Sequence, residues 1–271
     1  MKRSAGDPPV ISEIDDLESL RELEELFSSI WQRPGEPPIN SDILKALAHS
    51  GNYVVGARAG KRMVGGLVGW WGGSPAHEVH MHSHILGVVE ESGIRGLGFE
   101  LKQHQRSWCL ERGVKVMEWT TDPLIRRNAY FNLQKLGALA SEYLVDFYGV
   151  MEDGLNAGEE SDRLLIRWQL DSSRAESAAA GTAGEAQVED LLREGAEPVL
   201  SVGHRDQPVA RSSTARVLLC QVPDDIVALR RTDPAAARSW RFAVRRTLAD
   251  AFKDGFRITG ATRTGWYVLE R

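Results

Sequence analysis

The chain has 271 residues, of which 42% are hydrophobic, and a formal net charge of −5. This length supports one large or two small domains, and the acidic balance gives no general attraction to nucleic acid. The sequence has no run near the roughly 20 apolar residues of a membrane span, no apolar signal core in the polar residues 1–9, and no metal or disulfide pattern around Cys109 and Cys220. We therefore expect a cytoplasmic protein without nucleic-acid or membrane partners.

Hydrophobic spacing and turn residues predict the elements up to residue 170 in chain order. A strand is followed by a helix capped by Asp15 or Asp16 and by a second helix. Three strands, a long helix, a strand, a closing helix and two strands complete the series. After the first helix, the predicted ranges are 41–49, 53–58, 62–71, 78–88, 96–112, 114–120, 125–136, 139–148 and 164–170.

The remainder of the chain differs in composition. Residues 172–189 are rich in Ser, Ala, Gly and Glu, which predicts a linker. Residues 190–271 then form a small α+β subdomain, with a helix that begins at Pro234 and ends near residue 253. No glycine-rich loop follows the Val222-Pro223 step, so we expect no phosphate-binding nest in this subdomain.

The segment from Gly87 to Gly98 joins the central strand at 78–88 to the long helix. It reads Gly-Val-Val-Glu-Glu-Ser-Gly-Ile-Arg-Gly-Leu-Gly. Glycine lets backbone amides approach an anion closely, and a helix N-terminus favours a phosphate. The glycine order is the reverse of a Rossmann fingerprint, and the Gly-Lys-Ser/Thr of a P-loop is absent. The segment is either a pyrophosphate-binding turn or a plain tight turn.

Two motifs together resemble the GNAT acetyltransferase superfamily over about residues 10–171. The strand, short acidic segment, Arg-Gly-Leu-Gly and long helix resemble its acyl-CoA loop. The segment Arg126-Arg-Asn-Ala-Tyr-Phe-Asn-Leu-Gln-Lys-Leu-Gly137 resembles its closing helix, with Ala129, Lys135 and Leu136 in register as well as the final glycine. The resemblance implies an α/β fold of GNAT type. Its central sheet is mixed and mostly antiparallel with flanking helices, and the α+β subdomain is appended.

The resemblance implies an acyl-CoA-dependent N-acyltransferase. Acetyl-CoA is then the co-substrate, a small-molecule or peptide amine is the acceptor, the amine attacks the thioester directly, and no metal is required. Two alternatives stay open, a non-catalytic acyl-CoA-binding or regulatory module and an aminoacyl or peptidyl acyltransferase. A homodimer is also compatible with the resemblance. The subdomain at 190–271 is expected to bind no acyl-CoA itself and to pack on, or shape, the acceptor side.

The resemblance also assigns the residues that contact acyl-CoA. A splayed central strand offers backbone amides to pantetheine and the thioester carbonyl, and the glycine loop holds the pyrophosphate. Asn128 is a candidate to replace the pantetheine contact of the family's asparagine, whose position is Arg126 here. The predicted contacts are Leu86, Gly87, Val88, Gly93, Ile94, Arg95, Gly96, Leu97, Gly98 and Asn128.

The central strand carries candidates for the general base. Because side chains alternate along a strand, Glu78, His80, His82 and His84 share one face. His84 lies nearest the glycine loop, and an imidazole with a pKa near 6.5 suits proton transfer at neutral pH. Glu78 is the alternative, since the superfamily often uses a carboxylate on this strand. Rim or core roles remain open for all four, and three histidines in line span roughly 13 Å, which argues against one metal site.

At the position of the general acid, the motif departs from the family pattern. The family's tyrosine position is Leu133, and the first basic residue of its loop is Gly93. Tyr130 lies about one helical turn before Leu133 and could protonate the leaving thiolate. The alternative is a thiolate that leaves unassisted. Asp122 and Pro123, after the strand at 114–120, indicate a turn.

Overall fold

The computed structural model describes residues 8–32, 36–74, 77–149 and 160–271. The chain divides into two compact units, a first unit that ends at Met117 and a second unit that begins at Glu118. The domain boundary near residue 171 stays a prediction. Within the described ranges, no helix is both long and apolar enough to cross a membrane.

The first unit contains a four-stranded antiparallel sheet in the order β1-β2-β3-β4. The bounds lie within three residues of the predicted ones. The elements are β1 Val10–Glu13, α1 Leu17–Trp31, α2 Ser41–His49, β2 Tyr53–Ala59, β3 Arg62–Ser74, β4 His77–Val88 and α3 Leu97–Glu111.

Helix α1 lies directly on this sheet. Asp16 caps the helix by accepting a hydrogen bond of 2.9 Å from the Ser19 amide. A Cβ at Gly66 would lie 2.3 Å from the Leu23 side chain, and one at Gly87 would lie 2.7 Å from Ile30. Glycine at these two strand positions therefore permits the close approach of α1 to the sheet.

The second unit contains a longer sheet in the order β5-β7-β6-β11-β12-β10-β8-β9. From β7 to β9 only the β8–β10 pair is parallel, so the sheet is mostly antiparallel as predicted. The strands are β5 Val116–Thr121, β6 Leu139–Leu144, β7 Arg163–Gln169, β8 Glu197–Val202, β9 Pro208–Ala210, β10 Val217–Gln221, β11 Arg257–Ala261 and β12 Trp266–Glu270. The helices are α4 Arg126–Tyr130, α5 Ser173–Ala179, α6 Val188–Arg193, α7 Ile226–Thr232 and α8 Pro234–Lys253.

The C-terminal region continues the sheet of the second unit. Strand β11 pairs with β6 through Ile258 and Ala140, and α8 buries an apolar stripe that contains Trp240, Val244 and Leu248. The sequence pattern predicted α8 with its observed bounds. It did not predict the short α6, α7 and β9, which contain six, seven and three residues.

The segment predicted as a linker, 172–189, contains helix α5. Ser172 caps α5 by accepting a hydrogen bond from the Ala175 amide, and Ala175 and Ala178 are buried. The segment is poor in large apolar side chains, which is why its composition predicts a linker. Alanine has high helix propensity and can be buried in a narrow space, so a segment rich in small residues can still pack as a helix.

Candidate active site

The loop between β4 and α3 combines a 3₁₀ turn with two left-handed glycines. Residues Glu90–Ser92 form the turn, Gly93 follows with φ 67°, and Gly96 has φ 86° at the N-cap of α3. No side chain caps this helix. In the part of the chain that the structure describes, the amides of Leu97 and Gly98 have no hydrogen-bond acceptor. Two donors therefore lie unclaimed at the positive end of a fifteen-residue helix.

The space beside these amides fits an anionic group. A Cβ at Gly96 would meet nothing within 4 Å, and one at Gly98 would meet only the Leu86 side chain, at 3.6 Å. Leu97 is buried and fixes the first turn of the helix, whereas Arg95 is exposed beside the loop. The loop thus offers two amides, one cation and open space to an anion, and its predicted pyrophosphate contact stays a prediction.

The predicted pantetheine contact, residues 86–88, is paired with β3 along one edge. Leu86, Gly87 and Val88 lie opposite Leu67, Gly66 and Gly65. Residue 87 must be small because α1 packs on it, as described above. The three residues adjoin the glycine loop directly, and their acyl-CoA contact stays a prediction.

Strand β4 has an irregularity at His84. Val68 pairs with Ile85 while Gly69 pairs with Ser83, so His84 is an extra residue between two partners. A bulge of this kind changes which face the following side chains occupy. Accordingly, Ile85 belongs to the hydrophobic core that contains Leu20, Leu23 and Phe27 of α1.

His82 and His84 lie beside Trp70 on one face of β3 and β4. The distance between ring centroids is 5.0 Å for Trp70 and His82 and 4.5 Å for Trp70 and His84. Burial lowers the pKa of His82 to about 4, helped by the nearby His84, His80 and Lys102. Desolvation by the surrounding protein also lowers the pKa of His84, although this side chain keeps contact with solvent. Both imidazoles are therefore neutral at pH 7, which is the form a general base requires.

Glu78 and His80 lie nearer the start of β4. Glu78 is exposed, and its carbonyl oxygen lies 3.1 Å from His80 Nδ1. The His80 ring covers Gly72, where a Cβ would lie 2.5 Å from His80 Nε2. In the described ranges, no group of three His, Cys, Asp or Glu side chains could hold a metal ion.

A buried polar network on α3 was not predicted. Lys102 Nζ donates to Ser83 Oγ at 2.8 Å, and Ser83 Oγ donates to Gln105 Oε1 at 2.8 Å. Burial lowers the pKa of Lys102 to about 7. The sequence contains a signal for this network, because Lys102 and Gln105 lie on the same helical face as the buried Leu101 and Cys109. Ser83 adjoins His84, so the network supports the backbone at the bulge.

The closing helix is interrupted. The sequence predicted one helix over 125–136, whereas α4 ends at Tyr130 and Phe131–Lys135 form a π-helical turn. Such turns change the angular position of the residues that follow and are frequent at functional sites. Leu133, at the family's tyrosine position, is fully buried.

Tyr130 and Asn128, both on α4, have different surroundings. Asn128 is exposed. The Tyr130 hydroxyl donates to Glu185 Oε2 at 3.0 Å and accepts from Arg263 Nε at 3.0 Å. Burial and the hydrogen bond to Glu185 raise the pKa of Tyr130, although Arg263 opposes this. The candidate acid is thus protonated at neutral pH and held by two residues beyond 171.

The turn after β5 is anchored by the C-terminal region. Asp122 Oδ1 accepts a hydrogen bond from the Leu124 amide at 2.9 Å, which confirms the predicted turn. Arg230 and Arg241 also bind the Asp122 carboxylate, and all three side chains are buried. Tyr267 donates to the Pro123 carbonyl at 2.7 Å. The sequence did not predict these contacts.

The predicted site residues fall in two groups. The glycine loop, residues 86–88, Glu78 and His84 belong to the first unit, whereas Asn128 and Tyr130 belong to the second. Within the first unit, the structure brings the base candidate His84 and the loop onto the C-terminal half of one strand and its exit. The roles of all these residues stay predictions.

The fold of this chain is similar to that of a solved structure. The structure of yncA from Salmonella typhimurium, solved with its cofactor acetyl-CoA, is similar to this chain with a TM-score of 0.51 at 15% identity. The match covers 61% of this chain and 96% of that one. The chain has a GNAT-type fold. The predicted GNAT fold class is therefore confirmed.

A second solved structure is less similar. Arabidopsis thaliana Naa50, solved with the bisubstrate analogue CoA-Ac-MVNAL, matches with a TM-score of 0.47 at 15% identity, over 59% of this chain and 97% of that one. No protein-family model and no curated protein sequence matched the chain.

Proposed function

We propose that the chain is an acyl-CoA-dependent N-acyltransferase that transfers an acetyl group to an amine. One observation carries the proposal, the unclaimed amides of Leu97 and Gly98 beside the open space at the left-handed Gly96. The GNAT-type fold and the acetyl-CoA in the yncA structure support it. Every helix leaves its first amides without an intrahelical partner, and at α3 no side-chain cap takes their place, so a ligand can bind to them.

The glycine loop would bind the pyrophosphate. The amides of Leu97 and Gly98 donate to phosphate oxygens, the helix dipole stabilises the negative charge, and Arg95 neutralises part of it. In this proposal residues 86–88 run beside pantetheine, and the backbone at this end of β4 contacts the thioester carbonyl oxygen. Asn128 supplies a further polar contact to pantetheine.

The transfer requires two proton movements. The amine nitrogen bonds to the thioester carbonyl carbon, and the carbon–sulfur bond breaks. His84 accepts the proton that the amine loses, either directly or with Glu78 acting through water, and releases it to solvent. Tyr130 donates its hydroxyl proton to the departing thiolate and regains one from solvent. The products are an N-acyl amine and a free thiol.

A non-catalytic acyl-CoA-binding module is the second candidate. The observation that favours it is the fully buried Leu133 at the family's tyrosine position, together with a Tyr130 hydroxyl already bound to Glu185. An aminoacyl or peptidyl acceptor is a further variant of the enzymatic proposal.

Binding and turnover distinguish these candidates. Calorimetry should show that CoA and acetyl-CoA bind one per chain. Free thiol should then be released from acetyl-CoA with at least one member of a panel of small amines, peptide N-termini and aminoacyl compounds. Binding without thiol release under every acceptor supports the module, and absence of CoA binding contradicts both.

A further inference from the structure

A three-residue cluster surrounds the Tyr130 hydroxyl. Glu185 Oε2 accepts its proton at 3.0 Å, Arg263 Nε donates to its oxygen at 3.0 Å, and Arg263 and Glu185 form an ion pair at 3.2 Å. The Arg263 guanidinium also lies 5.0 Å from the Tyr130 ring centroid, and Lys135 Nζ lies 5.9 Å from it. The hydroxyl therefore has one acceptor and one cationic donor in a defined arrangement.

Arg263 and Glu185 both lie in segments whose backbone is fixed by further contacts. Arg263 lies at the tip of the β11–β12 hairpin, where the Thr262 amide donates to the Trp266 carbonyl at 2.8 Å. Gly265 has φ 88°, and a Cβ there would lie 2.7 Å from Arg126 of α4, so the hairpin packs closely on the closing helix. On the other side, Gln134 Nε2 donates to the Gly184 carbonyl at 2.6 Å and anchors the residue before Glu185.

The cluster remains accessible. The Arg263 side chain is 65% exposed, and Tyr130 is only partly buried. A purely structural ion pair at such a site contributes little to stability. A charge pair fixed on a phenol instead affects the strength of that phenol as an acid, since an acceptor carboxylate favours the protonated form and a cation favours the phenolate.

We propose that Glu185 and Arg263 are positioning residues that hold the Tyr130 hydroxyl and set its acidity for acyl transfer. This proposal rests on the proposed function, in which the Tyr130 O–H bond breaks and a thiol S–H bond forms. Glu185 accepts a hydrogen bond from the O–H and so favours the protonated phenol before the transfer. For the transfer, the O–H turns from Glu185 to the thiolate sulfur and passes its proton there. Arg263 then stabilises the phenolate until it takes a proton from solvent. The C-terminal region thus contributes to the site.

A titration tests the proposal without any acyl-CoA. Position 130 carries 3,5-difluorotyrosine, whose phenol titrates near neutral pH and reports its ionisation by ¹⁹F NMR. Arg263→Ala should raise the pKa of this phenol by about one unit, and Glu185→Gln should lower it by about the same amount. Opposite shifts are not expected of two merely destabilising changes. The matched controls Arg211→Ala and Glu189→Gln alter exposed side chains elsewhere and should leave the pKa unchanged.

Turnover supplies the second measurement. Tyr130→Phe should lower kcat by about 10²-fold, and each positioning variant should lower it by about 10-fold, with KM for acetyl-CoA unchanged in all three. Equal phenol pKa values in parent and variants overturn the proposal, as does a full kcat in both variants. The two variants could instead shift the phenol pKa in opposite directions while the parent releases no thiol from acetyl-CoA. That result refutes the proposed function and not the effect of Glu185 and Arg263 on the phenol, because the titration needs no turnover.

Discussion

Arg241 binds the Asp122 carboxylate through both terminal nitrogens, with N–O distances of 2.9 and 3.0 Å. Both side chains are buried, and Arg230 adds a third bond of 2.6 Å. Burial alone would raise the pKa of Asp122, but the charges and hydrogen bonds of Arg241 and Arg230 outweigh it and hold this pKa well below its usual value. The turn before the closing helix is thus fixed to α7 and α8.

Replacing Asp122 should destabilise the fold strongly. Asp122→Asn leaves Arg230 and Arg241 buried without their carboxylate, which we expect to cost about 3–5 kcal/mol of unfolding free energy. The matched control is Asp224→Asn, which removes an ion pair with Arg126 whose carboxylate is 84% exposed and should cost less than about 1 kcal/mol. Urea denaturation measures both, and equal losses would contradict the clamp.

The same group predicts an acid dependence. Because the pKa of Asp122 is lower in the folded state than in the unfolded chain, its contribution is fully present above the unfolded value, near 3.9, and is lost as pH falls through the folded value. The parent should therefore lose stability below about pH 4 more steeply than Asp122→Asn. Chemical denaturation at pH 2.5, 4 and 7 compares the two slopes. Parallel slopes would show that Asp122 is not held in this way.

Removal of residues 172–271 should prevent stable folding rather than only impair turnover. A chain that ends at Asp171 lacks the two arginines that bind Asp122, the Tyr267 bond to Pro123, and β11, the neighbour of β6. It exposes a new sheet edge and leaves a buried carboxylate unpaired. We expect no cooperative thermal transition and increased binding of a hydrophobic dye. A sharp transition in the truncated chain would show that residues 10–171 fold alone.

Gly98→Ala should reduce CoA binding with little effect on folding. The added Cβ makes only an ordinary contact with Leu86, at 3.6 Å, but it lies beside the amides proposed to bind phosphate. Calorimetry should show at least about 10-fold weaker CoA binding, with an unchanged thermal midpoint. If Gly98→Ala binds CoA as tightly as the parent, the phosphate does not bind at this loop.

Gly96→Ala should weaken CoA binding. It should also lower the free energy of unfolding, because residue 96 has a left-handed φ of 86°. Gly113→Ala is the matched control, because residue 113 also has a left-handed φ, of 74°, and open space around it. Both variants should lose about 1 kcal/mol of stability. Only the change at 96 should affect affinity for CoA, and equal affinity losses would assign the effect to folding.

His84→Ala should lower turnover by about 10²-fold, because it removes the proposed general base. Glu78→Gln should have the same effect if the Glu78 carboxylate takes part through a water molecule. The pKa of His84 is lowered, so the imidazole stays neutral to below pH 6.5, and the acid limb of kcat/KM assigned to the base should lie below that value. His49→Ala, at the end of α2, is the control. Unchanged rates for both variants across pH 6–9 would exclude both residues.

Local sequence patterns were sufficient for most elements and for the loop. The spacing of Leu20, Leu23 and Phe27 predicts α1, and the strand–glycine–helix order predicts a turn at 93–98, whose anion-binding role stays a prediction. These features depend on residues a few positions apart, where periodicity and turn chemistry act directly. The interruption of the closing helix at Phe131–Lys135 was missed, since nothing in the local pattern distinguishes a π-helical turn from an α-helical one.

The sequence by itself thus predicted most of the elements, the position of the glycine loop between β4 and α3, and the candidate bases on β4, whose roles stay predictions. The tertiary structure alone decided that Arg241 binds Asp122, 119 positions away, and that Arg263 binds Tyr130, 133 positions away. It also decided the bulge at His84, which depends on register with β3. The spacing of residue types predicts which side chains share a face of one helix or strand. These contacts instead join segments that are distant in the sequence, and they form only when those segments pack together.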